Sequence, residues 1–146
     1  GDIKGITDKG YYDNSFHVSS RINMSPFEKL RLEALGHKYS AGGHISYIET
    51  DSLTKNLDAI PDILRYAKMV GIHYMGINQP VDKCHICGYK GEFTATKEGF
   101  TCPQCGNHDS NEMSVIRRVC GYLSQPNARP FNKGKQEEIM HRVKHS

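Results

Sequence analysis

The chain has 146 residues, of which 37% are hydrophobic and 24% charged, a composition that predicts a folded domain rather than a disordered segment. Its formal net charge is +3, which is too weakly basic to indicate nucleic-acid binding by itself. No run of about 18 apolar residues occurs, so the sequence predicts no membrane-spanning helix.

Targeting signals and cysteine usage indicate the cellular compartment. Residues 1–15 contain no apolar core and do not predict a signal peptide. The first residue is not methionine, which suggests that the chain begins inside a longer parent. Four of the five cysteines fall into CxxC pairs, a pattern of metal binding rather than of disulfides. With no export signal, this pattern favours the reducing cytoplasm.

The first well-specified element is a helix that is predicted to begin at Pro26. Upstream, only residues 16–20 resemble a strand. Ser25 and Glu28 have the spacing of a capping box, and Pro26 suits the first helical position. Gly36 is predicted to end this helix. Its predicted buried face consists of three apolar residues at helical spacing, Phe27, Leu30 and Ala34.

A strand, a helix and a second strand follow, at residues 44–49, 55–70 and 72–78. Pro61 could split the helix by starting a new one, and Gly71 is placed to end it. The predicted buried face of the helix consists of Leu57, Ile60, Leu64 and Ala67. This order predicts a βαβ unit with parallel strands, which normally belongs to a larger sheet.

Two CxxCG sequences define a separate module over residues 82–109. The cysteines are Cys84, Cys87, Cys102 and Cys105. Two such turns that face each other would place four thiolates in a tetrahedron, the closed arrangement of a structural zinc site. Such a site has no open position, so we expect no chemistry at the metal, and the module should fold only around its ion. The segment between the pairs suits a short hairpin around Gly99.

Other interpretations of the module stay open. The spacing between the pairs is slightly shorter than usual, and the cysteines could form disulfides or remain free thiols. Iron accepts the same ligands as zinc. His85 or His108 could replace a cysteine, although His85 lies inside a turn and is expected to face solvent.

The last part of the chain is apolar over residues 114–124 apart from Arg117 and Arg118, and then polar. The tail, residues 136–146, could form a short helix with its acids first and its bases last, which suits the helix dipole. The basic residues of the tail are expected to form a solvated face, namely Arg129, Lys133, Lys135, Arg142 and Lys144.

Residues 117–124, RRVCGYLS, follow the cysteine module and resemble the glycyl-radical segment of anaerobic (class III) ribonucleotide reductases. Residues 11–19 and 41–49 resemble the last barrel segments of the same family, so the likeness covers most of the chain. Ser124 stands where the family commonly has a glycine or a similar small residue. The resemblance implies an α/β fold: the last βα segments of a ten-stranded α/β barrel, a small zinc ribbon with four cysteine ligands and a C-terminal radical loop.

The resemblance also implies a division into barrel segments (1–80), zinc ribbon (81–110), and radical loop with tail (111–146). The glycine-rich segment 41–44 lacks the lysine of a phosphate-binding loop, so we interpret it as a close-packing or turn segment. A position near substrate is a weaker hypothesis for it and for residues 14–17.

Gly121 is the predicted radical site. Loss of an α-hydrogen leaves a carbon radical that the flanking amide nitrogen and carbonyl delocalise only if the centre can flatten, and a side chain would clash with the neighbouring peptide planes. The radical reacts with dioxygen, so it needs a closed, dry pocket. The alternative is a plain turn glycine. Cys120, its neighbour, is predicted to be a small buried residue rather than the cysteine that attacks substrate.

The resemblance implies the following mechanism. An activating partner with an iron–sulfur cluster and S-adenosylmethionine removes hydrogen from Gly121. The radical passes to a cysteine in the missing N-terminal remainder of the enzyme, and that thiyl attacks a ribonucleoside triphosphate. Formate commonly supplies the electrons, and ATP or deoxynucleotides act as effectors on a protein that is expected to be a homodimer. The fragment alone should be inactive, and basic tail residues could dock the activase.

Two alternative functions remain. One is a zinc-ribbon module that binds nucleic acid or protein, which would need exposed bases and stacking aromatics. The ribbon carries three lysines (Lys83, Lys90 and Lys97) against Glu92 and Glu98, so its charge is nearly balanced, and we expect no nucleic-acid partner. The other is a stand-alone spare part that supplies a glycyl radical to an oxygen-damaged enzyme.

Overall fold

A computed structural model of the chain describes residues 2–8, 10–13, 17–50, 56–119, 122–124 and 131–145. The chain divides into two compact units. We call residues 14–80 with 143–146 the βαβ unit, and residues 1–13 with 81–142 the ribbon unit. Each unit contains both helix and strand, in agreement with the predicted mixed α/β class.

The βαβ unit contains α1 (Pro26–His37), β1 (Ser46–Glu49), α2 (Ala59–Val70) and β2 (Met75–Asn78). Strands β1 and β2 pair in parallel, with Ser46 opposite Met75, and α2 connects them. This arrangement confirms the predicted βαβ order. The buried core residues are apolar and come from both helices and from β1: Leu30, Ile48, Ile63 and Ala67.

Local signals located the helix ends well in two places. The capping box at the start of α1 is confirmed, because the Glu28 N–H donates to Ser25 Oγ at 3.2 Å and the Ser25 N–H donates to Glu28 Oε2 at 3.1 Å. Gly71 ends α2 in the left-handed conformation, with φ of 86°. Pro61 lies in the first turn of α2 and does not split it, because backbone N–H groups in a first turn need no helical partner.

Other predictions for this unit were wrong. Helix α1 continues past Gly36 to His37, and residues 17–20 form no strand; Phe16 and Lys55 lie outside the described residues. Leu30 is buried as predicted, but Phe27 is 39% exposed, and the other buried residues of α1 are Lys29, Glu33 and His37.

Helix α2 also turns a different face inward from the one predicted. Ala67 is buried as predicted, but Leu64 and Leu57, which precedes the helix, are 48% and 64% exposed, and Ile63 is buried in their place. The sequence offers several apolar stripes on this helix, and the position of β1 and α1 decides which of them packs.

The ribbon unit is built from short strands. They are β3 (Asp82–Cys84), β4 (Lys90–Gly91), β5 (Thr94–Thr96), β6 (Gly99–Thr101), β7 (Met113–Ser114), β8 (Arg117–Val119) and β9 (Tyr122–Ser124). Strand β3 lies between β4 and β7, antiparallel to both. Strands β5 and β6 form the predicted hairpin. The buried core consists of Cys84, Phe93, Cys102, Met113 and Val115.

Helix α3 (Lys133–His141) completes the ribbon unit and differs from its prediction. It begins three residues before the predicted start at 136 because the Asn132 side chain accepts the Lys135 N–H at 2.9 Å, an N-cap that the sequence reading passed over. Its first turn holds no acid but two lysines, so the acids-first expectation was wrong. Among the described residues, no helix has both the length and the apolarity that crossing a membrane requires.

Candidate metal centre and the strand pair beside it

The two CxxCG turns have the same backbone structure. In the first, the Gly88 N–H donates to the Cys84 carbonyl at 3.1 Å, and the Cys84 N–H donates to the Tyr89 carbonyl at 2.9 Å. The second turn repeats both hydrogen bonds from Gly106 and Cys102, at 2.9 and 2.8 Å. The two glycines have φ of 75° and 71°, a region that glycine adopts without steric cost.

These turns bring the four predicted cysteine ligands together. All four sulfur atoms lie within 4.8 Å of one another, and the pairs Cys84–Cys105 and Cys87–Cys102 are each 3.7 Å apart. The cysteines are free rather than disulfide-bonded. Four sulfurs bound tetrahedrally at about 2.3 Å from one zinc ion would be about 3.8 Å apart. The cluster can therefore hold a metal such as zinc.

Backbone hydrogen bonds favour the thiolate at Cys84, whereas burial opposes it. Cys84 and Cys102 are buried and Cys105 is exposed. The pKa of the Cys84 thiol is lowered to about 6, chiefly because the backbone N–H of Cys87 hydrogen-bonds to it. Four cysteines fill a tetrahedral site, so the centre suits a structural ion and offers no position for substrate.

The nearby histidines do not join the cluster. His85 is exposed, as predicted, and its Nε2 lies 3.0 Å from Ser114 Oγ. Within the described part of the chain, the group of potential ligands here contains the four cysteines and neither His85 nor His108.

A buried ion pair connects the ribbon to the strand that leads towards Gly121. Asp82, at the start of β3, is 1% exposed and accepts two hydrogen bonds from the Arg117 guanidinium, at the start of β8. The carboxylate also accepts the Phe93 N–H at 2.7 Å and the Ile116 N–H at 3.4 Å. The guanidinium lies over the Phe100 ring, 5.1 Å from its centroid. Strand β8 is thus fixed to the metal module.

Strands β8 and β9 pair antiparallel, with Val119 opposite Tyr122 and Arg117 opposite Ser124. Cys120 and Gly121, which follow β8 and precede β9 in the sequence, are outside the described residues. The tail contributes a further contact, because Arg142 donates to the Arg118 carbonyl at 3.0 Å and to Glu138 at 2.6 Å. Arg142 is thus not part of a solvated face, contrary to prediction; Arg129 is outside the described residues.

The sequence reading missed the Asp82–Arg117 pair because its members are 35 residues apart. The sequence contains an aspartate shortly before the first CxxC and an arginine inside an apolar run. Neither feature indicates which residue the charge pairs with. Two segments that were hypothesised to lie near substrate also contribute to one cluster, in which His17 and His44 accompany Glu33. Residues 14–16 lie outside the described residues.

Comparison with known proteins decides the family. The sequence model that describes anaerobic ribonucleoside-triphosphate reductase matches residues 2–145. The chain belongs to the anaerobic ribonucleoside-triphosphate reductase family. It is 50% identical over 145 residues to the anaerobic ribonucleoside-triphosphate reductase of Escherichia coli (strain K12) and 51% identical to that of Enterobacteria phage T4.

These relatives are much longer than the chain. The matches cover 99% of this chain but 20% and 24% of the two relatives. A solved structure described as anaerobic ribonucleotide reductase aligns with a TM-score of 0.67 at 21% identity, over 96% of this chain and 21% of that one. The chain therefore has a fold found in this reductase family and spans about a fifth of the length of its curated relatives.

Proposed function

We propose that this chain is the C-terminal part of an anaerobic ribonucleoside-triphosphate reductase in which Gly121 stores a glycyl radical. The observation that carries the proposal is the pairing of Val119 with Tyr122, the two described residues that flank positions 120 and 121 in the sequence. The ion pair between Asp82 and Arg117 ties the first of those strands to the four-cysteine module. Family membership supports the same interpretation.

The four cysteines would hold one zinc ion, which when bound supplies a structural cross-link between the two CxxCG turns. With the turns cross-linked, β3 would be held in place, and Asp82 on β3 would orient β8 through Arg117. This chain of contacts would keep the backbone before Gly121 in a defined position and so present the Gly121 α-hydrogen to an activating enzyme.

Activation would remove one hydrogen atom from the Gly121 α-carbon. The hydrogen acceptor would be supplied by an activating partner that carries an iron–sulfur cluster and S-adenosylmethionine. The glycyl radical would then take a hydrogen atom from a cysteine thiol to leave a thiyl radical. Since the cysteines of this chain are the four ribbon residues and Cys120, that thiol belongs to the remainder of the enzyme.

The remaining parts of the proposal concern the whole enzyme. Its thiyl would start reduction of a ribonucleoside triphosphate, with formate as the electron donor and ATP or deoxynucleotides as effectors of a homodimer in the cytoplasm. The βαβ unit would supply the last strands of a ten-stranded barrel, because two parallel strands alone are too small a sheet. The three functional regions would be residues 1–80, 81–110 and 111–146. The unit boundary after Pro80 coincides with the end of the first region, whereas residues 1–13 group with the ribbon unit and residues 143–146 with the βαβ unit.

Electron paramagnetic resonance on the full-length protein tests the proposal. After anaerobic activation, the wild type should show a glycyl-radical signal and the Gly121→Ala variant should show none, with unchanged metal content. Gly42→Ala is a suitable control because an added Cβ there meets no atom within 4 Å. The same signal from Gly121→Ala would refute the proposal. A reading frame that continues upstream of Gly1 would separate it from the stand-alone spare-part alternative.

A further inference from the structure

A second group of potential metal ligands lies in the βαβ unit, away from the cysteines in sequence. One nitrogen each from His17 and His44 and one carboxylate oxygen from Glu33 lie within 4.8 Å of one another. His17 Nδ1 is 3.5 Å from Glu33 Oε1, and these two side chains are 9% and 1% exposed. His44 is 3% exposed. All three side chains are therefore enclosed by protein.

Two members of this group have polar atoms that nothing in the described structure satisfies. Glu33 Oε1 accepts the Val18 N–H at 2.9 Å and contacts the Lys29 ammonium. Glu33 Oε2, however, has no hydrogen-bond partner among the described residues, and neither has His17 Nε2, while His17 Nδ1 has only the 3.5 Å approach of Glu33 Oε1. Buried polar atoms without partners are costly and rare, so each such atom calls for a missing water or ion.

The neighbouring histidine, His37, differs from His17 because both of its ring nitrogens have partners. His37 Nδ1 accepts the His73 N–H at 3.3 Å, so its proton is on Nε2, which lies 3.0 Å from Ser46 Oγ. Both nitrogens of His37 are thus used within the fold. Its ring stacks on that of His44, with centroids 4.1 Å apart. His37 therefore holds the His44 ring in place without being a ligand.

We propose that His17, Glu33 and His44 form a second metal site that binds one divalent transition-metal ion of the zinc type. Two imidazoles and one carboxylate are a common ligand set for such ions. Ligand atoms around a four-coordinate ion with bonds of about 2.1 Å stand about 3.4 Å apart, close to the observed separation of His17 from Glu33.

The surrounding charges define what else the site accepts. Three protein ligands leave at least one coordination position open. Lys29 adds a positive charge beside Glu33, so the ion and the ammonium together exceed the single negative charge of the carboxylate. The open position therefore favours an anionic ligand such as hydroxide over a neutral one. This inference does not depend on the proposed radical function.

Metal counting in the full-length protein tests the site. Protein stripped of metal and reloaded with zinc should hold about one equivalent fewer in His17→Ala and in His44→Ala than in the wild type. His73→Ala is the matched control, since His73 is an exposed histidine beside the same cluster and should bind as much metal as the wild type. Equal zinc content in wild type and His17→Ala would overturn the proposal.

Cobalt substitution decides the matter if an alanine variant folds poorly. A cobalt ion at the four cysteines gives thiolate charge-transfer absorption, whereas one at His17, Glu33 and His44 gives only weak d–d bands. In a cobalt titration, the d–d bands should therefore report binding at the second site separately from binding at the cysteines. Glu33→Gln keeps the side-chain shape and should lower the cobalt affinity of this second site more than about tenfold. The proposal would be contradicted if the wild type bound no cobalt beyond the four-cysteine site, or if Glu33→Gln left the affinity of the second site unchanged.

Discussion

Gly106 illustrates what a single residue contributes to the metal module. Its φ of 71° lies in the left-handed region, and an added Cβ would meet no atom within 4 Å. A side chain there would therefore suffer backbone strain and no clash. Left-handed backbone costs an L-residue about 1–2 kcal/mol, and in this turn the strain falls directly on the Gly106 N–H that bonds Cys102.

We predict that Gly106→Ala lowers the zinc affinity of the module about tenfold, since metal binding and folding are coupled and 1.4 kcal/mol corresponds to a factor of about ten. Competition against a chromophoric chelator measures the change. Gly42→Ala, whose added Cβ likewise meets nothing within 4 Å and whose φ is not left-handed, should bind zinc as the wild type does. An unchanged affinity in Gly106→Ala would show that the turn relaxes without its left-handed residue.

At the scale of elements, the contact between β3 and β8 decides how the ribbon acts on the segment that contains Gly121. Asp82 and Arg117 are both buried, with side chains 0% and 10% exposed. Removing one partner of a buried ion pair leaves the other charge uncompensated, which typically costs about 3–5 kcal/mol. We therefore expect this pair to position β8, and we expect its loss to affect the chemistry at residues 120 and 121.

We expect Asp82→Asn to lower the free energy of unfolding by about 3 kcal/mol and to reduce the yield of glycyl radical, while the four cysteines still bind zinc. Chemical denaturation and paramagnetic resonance measure the two effects. Asp62→Asn is the control, because Asp62 pairs with Arg65 at the surface, where the side chains are 63% and 75% exposed and such pairs contribute about 0–1 kcal/mol. A normal radical yield in Asp82→Asn would disprove the positioning role.

At the scale of the whole molecule, we expect the two units to depend on metal to different degrees. The core of the ribbon unit includes two of the cysteines, Cys84 and Cys102, so loss of a bound ion would open the core itself. The core of the βαβ unit is made of Leu30, Ile48, Ile63 and Ala67, and its stability comes from apolar burial.

Hydrogen exchange with and without a strong chelator should separate the two units. We predict that chelation accelerates exchange in β3 and β7 by orders of magnitude but leaves β1 and α2 protected, because only the former strands enclose the cysteines. Cys84→Ala should reproduce the effect of chelation and also abolish radical formation. Equal acceleration throughout both units would mean that they unfold as one.

The sequence alone was sufficient for features that depend on neighbouring residues. The capping box at Ser25 and Glu28 and the helix end at Gly71 each depend on a few adjacent positions, so spacing predicted them correctly. The CxxCG turns are equally local, and their repeated hydrogen bonds explain why the four cysteines could be identified as a cluster. Gly121 stays a prediction of the sequence, carried by its motif and by the strands on either side.

Only the tertiary structure decided which side of each helix is buried and which distant charges meet. Helix α1 buries Glu33 rather than Phe27, because the Glu33 side of the helix packs against His17 and His44. Asp82 pairs with Arg117 because the fold brings the start of β3 next to the start of β8. Burial and ion pairing depend on which surfaces come together after the chain folds, and such contacts between positions far apart in sequence leave no periodic or local pattern that names both partners.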